Sequence, residues 1–252
     1  CLYVGTTESG DPADSENGGK GLLGTSPVDT TGSTCQFITT STTIDFATTA
    51  YRGSTWLTSS SDSYYLNVKA IDLENNVFDT NAQFSFGFDN TSPSNPDYVS
   101  LPSDFIATKS ATITWPTSGD AAPADSNSDV AGLQYRIGST GTWYGDNHTG
   151  TEDSTDLLTN DGSYTTDVTY DYDDISEGNN TIYIRTWDNA GNVTSTYVTG
   201  VLKVNSSAPS APTDLVVEPD DATTNSYAFS WGIPMTYEGT SSNLTYCYTV
   251  NT

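Results

Sequence analysis

Basic residues are scarce in this chain: its 252 residues include 7 lysines and arginines against 32 aspartates and glutamates, a formal net charge of -25. A nucleic-acid-binding protein needs a basic surface that faces the phosphates, so this composition excludes nucleic acid as a partner. The same charge disfavours binding to anionic lipid. It favours a secreted protein that stays soluble, with or without bound cations.

Helix-forming and membrane-spanning patterns are also missing. No run of 18 apolar residues occurs, so the sequence predicts no membrane span. Amphipathic runs of Leu, Glu, Lys and Ala are absent, and methionine occurs once. The abundant residues are Thr, Ser, Asn, Gly and Asp, together with 16 tyrosines. Because Thr and Tyr favour strands and the others favour turns, the composition predicts an all-β fold.

Catalytic groups have little support. The single histidine, His148, lies in the polar stretch GDNHTG, which predicts a solvated loop side chain. No nucleophile elbow is present, and no set of Cys and His residues has zinc spacing. The paired carboxylates of a glycosidase could always be assembled from 32 acidic residues, so their presence does not indicate that activity. We therefore predict that the chain is not an enzyme.

An internal repeat organises the chain. Residues 65–96 align without a gap to residues 181–212, an offset of 116, and the alignment extends to place Trp115 on Trp231. Over residues 65–115 it contains 11 identities in 51 positions. The matched pairs include Asp72 with Asp188, Asn76 with Asn192, Pro93 with Pro209, and Pro96 with Pro212. Each copy has a strand–turn–strand pattern that predicts part of a β-sandwich.

These motifs resemble two families of extracellular repeat. The stretches PSAPTDLVVEP, YAFSW and LTYCYTV resemble the A, B and C strands of a fibronectin type III domain. The stretches SDVAGLQYRIGSTGTWYGD and EGNNTIYIRTWDNAGNVTSTY resemble the bacterial Ig-like repeats of large surface proteins. The resemblance implies tandem antiparallel β-sandwich domains in an extracellular, cell-surface setting. It implies no activity.

Three segments follow from this pattern. Residues 93–208 are predicted to form a complete sandwich. Residues 209–252 are predicted to supply strands A to C of a further sandwich. Residues 1–92 are predicted to supply strands C′ to G, completing the sandwich begun by residues 209–252 of the preceding unit. Neither partial sandwich can bury its apolar face alone. The units are either tandem parts of one long polypeptide or separate subunits joined head to tail.

The register across the predicted join supports this arrangement. Reading LTYCYTVNT and then CLYVGT puts Tyr246 in the place of Tyr135, and Gly5 in the place of Gly145, with a spacing of 11 residues across the join against 10 within residues 133–146. Within residues 133–146, the equivalent stretch LQYRIGSTGTWYGD predicts a hairpin. The join therefore predicts a hairpin as well.

The cysteines leave alternatives open. Cys247 and Cys1 flank the predicted join, so we expect a disulfide between consecutive units if their Cα atoms approach to about 5.5 Å. Alternatively, Cys1 pairs with Cys35 in the same chain and Cys247 stays free. A third possibility is that Cys1 begins a lipid-anchored surface lipoprotein, with the following Gly/Ser/Asp-rich stretch as its tether.

Calcium is the one cofactor that the sequence suggests, because hard cations take several oxygen ligands from Asp, Asn and backbone carbonyls. The motifs YDYDD and DNAGN supply these oxygen atoms. Each can also be explained without calcium: YDYDD as the solvent-facing polar side of a strand, and DNAGN as an ordinary turn. A further acidic loop contains Asp120, Asp125 and Asp129. The predicted ligands are Asp171, Asp173, Asp174, Asp188 and Asn192.

The sequence thus predicts a structural repeat unit of an extracellular filament or giant surface adhesin, assembled head to tail. Its expected partners are copies of itself, with surface glycans or host and cell-surface ligands as further candidates. The alternative is a carbohydrate- or ligand-binding accessory module of a secreted protein. That function requires exposed aromatic side chains, for which Trp56, Trp143 and Trp187 are the candidates.

Overall fold

The computed structural model of the chain describes residues 2–5, 8, 20–21, 57–68, 82–166, 174–219, 223–234 and 244–249. In these ranges all regular secondary structure is β-strand, which confirms the all-β prediction. Across the same ranges, no helix is long and apolar enough to cross a membrane. The strands are β1 (Leu2–Gly5), β2 (Lys20–Gly21), β3 (Ser60–Val68), β4 (Ala82–Phe88), β5 (Thr112–Thr114), β6 (Val130–Ile137), β7 (Ser163–Thr165), β8 (Gly178–Asp188), β9 (Val198–Val204), β10 (Thr213–Glu218) and β11 (Ala228–Gly232).

The chain divides into two compact units. The first unit comprises Cys1–Ser94, Pro123–Gly132 and Thr186–Ser195; the second comprises Asn95–Ala122, Leu133–Arg185 and Thr196–Thr252. The domain boundaries at residues 92 and 208 that were inferred from the sequence stay a prediction.

The first unit contains a sheet in the order β2–β1–β3–β4. Strands β3 and β4 pair antiparallel, with Leu66 opposite Phe84 and Val68 opposite Ala82. In the β8–β9 pair, Ile182 lies opposite Gly200. At the repeat offset of 116, Ile182 and Gly200 are the counterparts of Leu66 and Phe84. The two copies of the repeat therefore share their strand register as well as their sequence pattern. Strand β1, which the sequence analysis assigned to strand C′, pairs antiparallel with β3.

The second unit contains a β-sandwich. One layer is the β5–β7 pair, and the other is the sheet β6–β8–β9. Alternation along TIYIRTW places Ile182 and Ile184 on the inner face, where both are fully buried. The core consists of buried side chains from both layers and the loops between them: Ala111, Ile113, Trp115, Leu133, Tyr135, Ile137, Leu158, Ile175, Ile182, Ile184, Leu202 and Val204.

A buried carboxylate fixes the loop that follows β6. Asp156 is fully buried. Its carboxylate accepts hydrogen bonds from the backbone N–H of Asn147 and of Thr149, each at 2.8 Å. Gly145 packs so closely on this segment that a Cβ atom there would lie 2.3 Å from the backbone of Asp156 and Leu157. The loop is therefore held by hydrogen bonds and by one obligatory glycine.

A separate two-stranded sheet follows in the same unit. Strands β10 and β11 pair antiparallel, with Val217 opposite Phe229 and Glu218 opposite Ala228. The register shifts between Thr213 and Val216, which marks a bulge or irregularity.

Candidate functional site

The sheet β10–β11 leaves its apolar face uncovered. The exposed fraction is 67% for Leu215, 57% for Phe229, 55% for Ile233 and 39% for Trp231. Single exposed apolar side chains are common on proteins, but a contiguous apolar face marks an interaction surface. We call the surface formed by Leu215, Phe229, Trp231 and Ile233 the open face.

The internal repeat shows how such a face is normally covered. At the offset of 116, Phe229 and Trp231 of the open face correspond to Ile113 and Trp115, which are 0% and 4% exposed. Those two side chains are buried in the core shared with β6, β8 and β9. The open face therefore has the sequence of an inner sandwich face, and within the described part of the chain no second sheet layer covers it.

A groove beside the open face brings in the last described residues. The groove has a volume of about 680 Å³ and is lined by Leu215, Phe229, Trp231, Tyr246 and Cys247, among others. The rings of Trp231 and Tyr246 meet edge to face, with centroids 5.1 Å apart. Cys247 is exposed and carries a free thiol. Its predicted partner Cys1, and the alternative partner Cys35, lie outside the described residues.

The strand pair β3–β4 is also incompletely covered. Val68 is 38% exposed and Phe84 is 65% exposed, whereas Leu66 and Phe86 are half-buried. The repeat counterparts of Leu66, Val68 and Phe86 are Ile182, Ile184 and Leu202, all with 0% exposure. The β3–β4 pair therefore exposes apolar side chains at positions whose repeat counterparts pack against β5 in the second unit.

Three carboxylates meet elsewhere, in the first unit. One oxygen from each of Asp89, Asp125 and Asp188 lies within 4.8 Å of the other two. Asp188 is fully buried, and the other two are half-buried. Oxygen ligands at such separations suit a hard cation such as Ca²⁺.

The turn DNAGN holds the Asp188 carboxylate. Its Oδ1 accepts hydrogen bonds from the backbone N–H of Ala190 and of Asn192, at 3.0 and 2.8 Å. The Asn192 side-chain amide donates to Asp188 Oδ2 at 2.9 Å and to the Asp89 carbonyl oxygen at 3.2 Å. Gly191 has φ of 89°, a value that glycine adopts without strain.

The other two carboxylates are held by their own loops. Asp125 Oδ2 accepts hydrogen bonds from the backbone N–H of Asn127, Ser128 and Asp129, at 2.9, 2.6 and 3.1 Å. Asp89 accepts from the backbone N–H of Thr91 and the hydroxyl of Ser128. Burial raises the pKa of Asp89, but these hydrogen bonds outweigh it and lower the pKa below the ordinary value.

Two of the five predicted calcium ligands, Asp188 and Asn192, lie at this carboxylate group. Asp174 is exposed in the turn before β8 and is not a member of the group. Asp171 and Asp173 lie outside the described residues. Sequence reasoning missed Asp89, whose only signal was a polar turn after a strand.

Two of the three tryptophans considered for carbohydrate binding are buried. Trp143 and Trp187 are 2% and 6% exposed, so the interpretation of these two as sugar-binding side chains is wrong. The Trp143 ring is covered by the guanidinium groups of Arg136 and Arg185, whose carbons lie 4.6 and 4.1 Å from its centroid. Trp56 lies outside the described residues.

His148 is half-buried rather than solvated. Its Nε2 lies 2.7 Å from the Tyr135 hydroxyl and 2.8 Å from the Tyr164 hydroxyl. The two hydroxyls are 3.0 Å apart. The ring nitrogen thus takes part in a tyrosine hydrogen-bond network beside the core.

Comparison with known proteins adds little. No protein-family model matches the chain, and no curated protein matches it. Among solved structures, the chain is similar to the fibronectin(III)-like modules of Clostridium thermocellum CbhA, with a TM-score of 0.28 and 14% sequence identity. The match covers 56% of this chain and 63% of that chain, less than two thirds of its length. The β-sandwich assignment follows from the strands and the buried core described above.

Proposed function

We propose that the chain is a structural, non-enzymatic unit of an extracellular filament or large surface adhesin, in which β-sandwich domains follow one another head to tail. The open face of one copy is covered by the β3–β4 pair of a second copy. One observation carries the proposal: Phe229 is 57% exposed at a repeat position where Ile113 is fully buried.

The choice of occupant rests on the repeat. In the second unit, β5 packs against Ile182, Ile184 and Leu202 of the β8–β9 pair. Strands β3 and β4 carry apolar side chains at the corresponding positions, paired in the same register. A second copy therefore offers a strand pair of the kind that covers this face within the chain itself.

Burial of the apolar side chains on the two surfaces is large enough to offset the free-energy cost of association. Fully burying one Val, Leu, Ile or Phe side chain contributes about 1.5–3 kcal/mol. The open face offers four large apolar side chains, and the β3–β4 pair offers more. Association costs roughly 4–15 kcal/mol in lost freedom, so several of these contacts must form together.

The non-enzymatic part of the proposal rests on the chemistry of the described side chains. The only histidine is engaged by two tyrosine hydroxyls, and the buried Asp156 is occupied by backbone N–H groups. The extracellular setting is supported by the acidic, strand-rich composition. The calcium hypothesis for Asp188 and Asn192 stays a prediction.

Sedimentation of the full chain over a range of concentrations tests the proposal. We expect reversible association that the substitution Phe229→Ser weakens strongly. Val201→Ser is the matched control, because Val201 is a 46% exposed apolar side chain on β9, away from the open face. A chain that stays monomeric at every concentration, or Phe229→Ser protein that associates like the wild type, would contradict the proposal.

A further inference from the structure

The outer side of strands β6 and β8 carries two arginines stacked on aromatic rings. The Arg136 guanidinium carbon lies 4.6 Å from the ring centroid of Trp143, 4.9 Å from that of Tyr183 and 5.3 Å from that of Tyr197. Arg185 lies on Trp143 as well, at 4.1 Å. Where a guanidinium presents its face to a ring, its in-plane N–H groups stay available for other partners.

The two arginines differ in how those N–H groups are satisfied. Arg185 is 8% exposed, and its Nε and Nη2 donate to Gln134 Oε1 at 3.0 and 2.7 Å. Arg136 is half-buried, and its Nε is enclosed without an acceptor. Among the described residues, Arg136 has no ion pair and no hydrogen-bond acceptor for its side chain. Among the described atoms Nε is the one enclosed side-chain nitrogen without a partner, so neither terminal Nη group is both enclosed and unpaired.

This unpaired cation is unusual for so acidic a chain, in which acidic residues outnumber basic ones 32 to 7. A negative charge near Arg185 comes from Glu152, which acts against the effect of burial and of Arg136 on the Arg185 pKa. The described part of the chain directs no carboxylate to the donors of Arg136. A guanidinium fixed between rings but left without an anion is prepared for a carboxylate from outside the chain.

We propose that the Arg136 guanidinium, with the rings of Tyr183 and Tyr197, is a binding site for a small carboxylate ligand whose body packs on an aromatic ring. The two terminal amino groups form a planar fork that matches the two oxygens of a carboxylate. Tyr197 is 48% exposed beside the fork, so its ring offers an apolar surface for the body of the ligand. A bound anion also offsets the repulsion between the two guanidinium groups.

Nuclear magnetic resonance on the full chain tests this site. Galacturonate is the probe, and galactose, which has the same ring without the carboxylate, is its control. We expect galacturonate to cause saturable shifts of the Arg136 Nε–H and Trp143 Nε1–H resonances, and galactose to cause none. Arg136→Lys retains the charge but loses the planar fork, so its dissociation constant should rise at least about tenfold.

Two charge-matched variants separate a site from general electrostatics. Arg136→Gln and Lys203→Gln each remove one positive charge from the second unit, but only Arg136→Gln should abolish the shifts; thermal melts confirm that each variant is folded. Equal shifts with galactose, or an unchanged titration in Arg136→Lys protein, would overturn the proposal. Shifts that follow protein concentration without added galacturonate would overturn it too, because they would assign the site to a second copy.

Discussion

Trp115 and Trp231 occupy the same position of the internal repeat but have different surroundings. Trp115 is 4% exposed in the core of the second unit, and its indole N–H donates to Asn160 Oδ1 at 3.2 Å. Trp231 is 39% exposed on the open face, where its ring meets Tyr246. The local strand pattern is shared, so the difference lies in coverage: Trp115 belongs to a core shared with β6, β8 and β9, whereas no described strand forms such a layer over Trp231.

Alanine substitutions at these two positions should therefore have unequal effects. Trp115→Ala leaves a cavity in a packed core and should lower the free energy of unfolding by about 3–5 kcal/mol. Trp231→Ala removes a partly exposed ring and should cost the monomer at most about 1 kcal/mol. Urea unfolding followed by circular dichroism measures both values, and similar losses would show that the open face is already covered in the monomer.

The all-β fold was predicted from the sequence because strand content depends on composition and local alternation. Ile182 and Ile184 lie on the inner face, as the alternation along TIYIRTW requires. Composition and turn residues located the strands, although the boundaries of the compact units followed spatial packing.

The carboxylate group was predicted only in part. Asp188 and Asn192 belong to one local turn, DNAGN, so the sequence brought them together. Asp89 and Asp125 come from distant segments of the chain, so no local sequence pattern predicts that they lie beside Asp188. The burial of Trp143 was missed although one of the guanidinium groups over its ring, that of Arg136, belongs to the predicted hairpin of residues 133–146; the other, that of Arg185, comes from β8.

Residues 93–208 should fold alone as a cooperative β-protein. The described residues of the buried core cluster all lie between Ala111 and Val204, within this segment. The separate segments 1–92 and 209–252 should not fold cooperatively. Thermal melts of the three segments, followed by circular dichroism, check the expectation. A cooperative melt of 209–252 alone would contradict the idea that the open face needs a partner.

Asp156 should make stability depend on acid pH. Burial raises its pKa, but hydrogen bonds from the backbone N–H groups of Asn147, Thr149 and Gly145 outweigh that effect, so the folded-state pKa lies below the ordinary value of 3.8. A lowered folded-state pKa stabilises the fold above pH 3.8, and this contribution is lost as the pH falls through the folded-state value.

Urea unfolding at several pH values between 6 and about 2 measures this dependence, because the unfolded protein takes up the proton first. Asp156→Asn protein should be less stable at pH 6 and should lose less stability on acidification. Asp146→Asn, in the same loop but exposed, is the control and should behave like the wild type. An unchanged pH slope in Asp156→Asn protein would show that the carboxylate does not contribute through its ionised form.

Calcium should raise the melting temperature if the group of Asp89, Asp125 and Asp188 holds a cation. A ligand that binds only the folded state stabilises it by mass action. Asp89→Asn and Asp188→Asn should each remove a saturable calcium effect, whereas Asp174→Asn, in an exposed turn, should not. Because any divalent ion relieves repulsion in so acidic a chain, the effect must exceed that of Mg²⁺. Indistinguishable Ca²⁺ and Mg²⁺ titrations would end the hypothesis.

A disulfide between Cys247 of one copy and Cys1 of the next should form at the predicted join. Cys247 is exposed and lines the groove beside the open face, so its thiol is accessible to a second copy seated there. Between separate subunits such a bond is a covalent cross-link that resists dissociation. Non-reducing electrophoresis should then show a ladder that collapses on reduction to the monomer of 26.9 kDa.

Cysteine variants separate this pairing from its alternative. Cys247→Ser should abolish the ladder, and Cys35→Ser should leave it intact. Association measured by sedimentation should persist in Cys247→Ser protein, because the contact depends on the apolar side chains of the open face and the disulfide only fixes it afterwards. Monomer with and without reductant, together with a Cys1–Cys35 bond identified by peptide mapping, would contradict the predicted join and leave Cys247 as a free thiol.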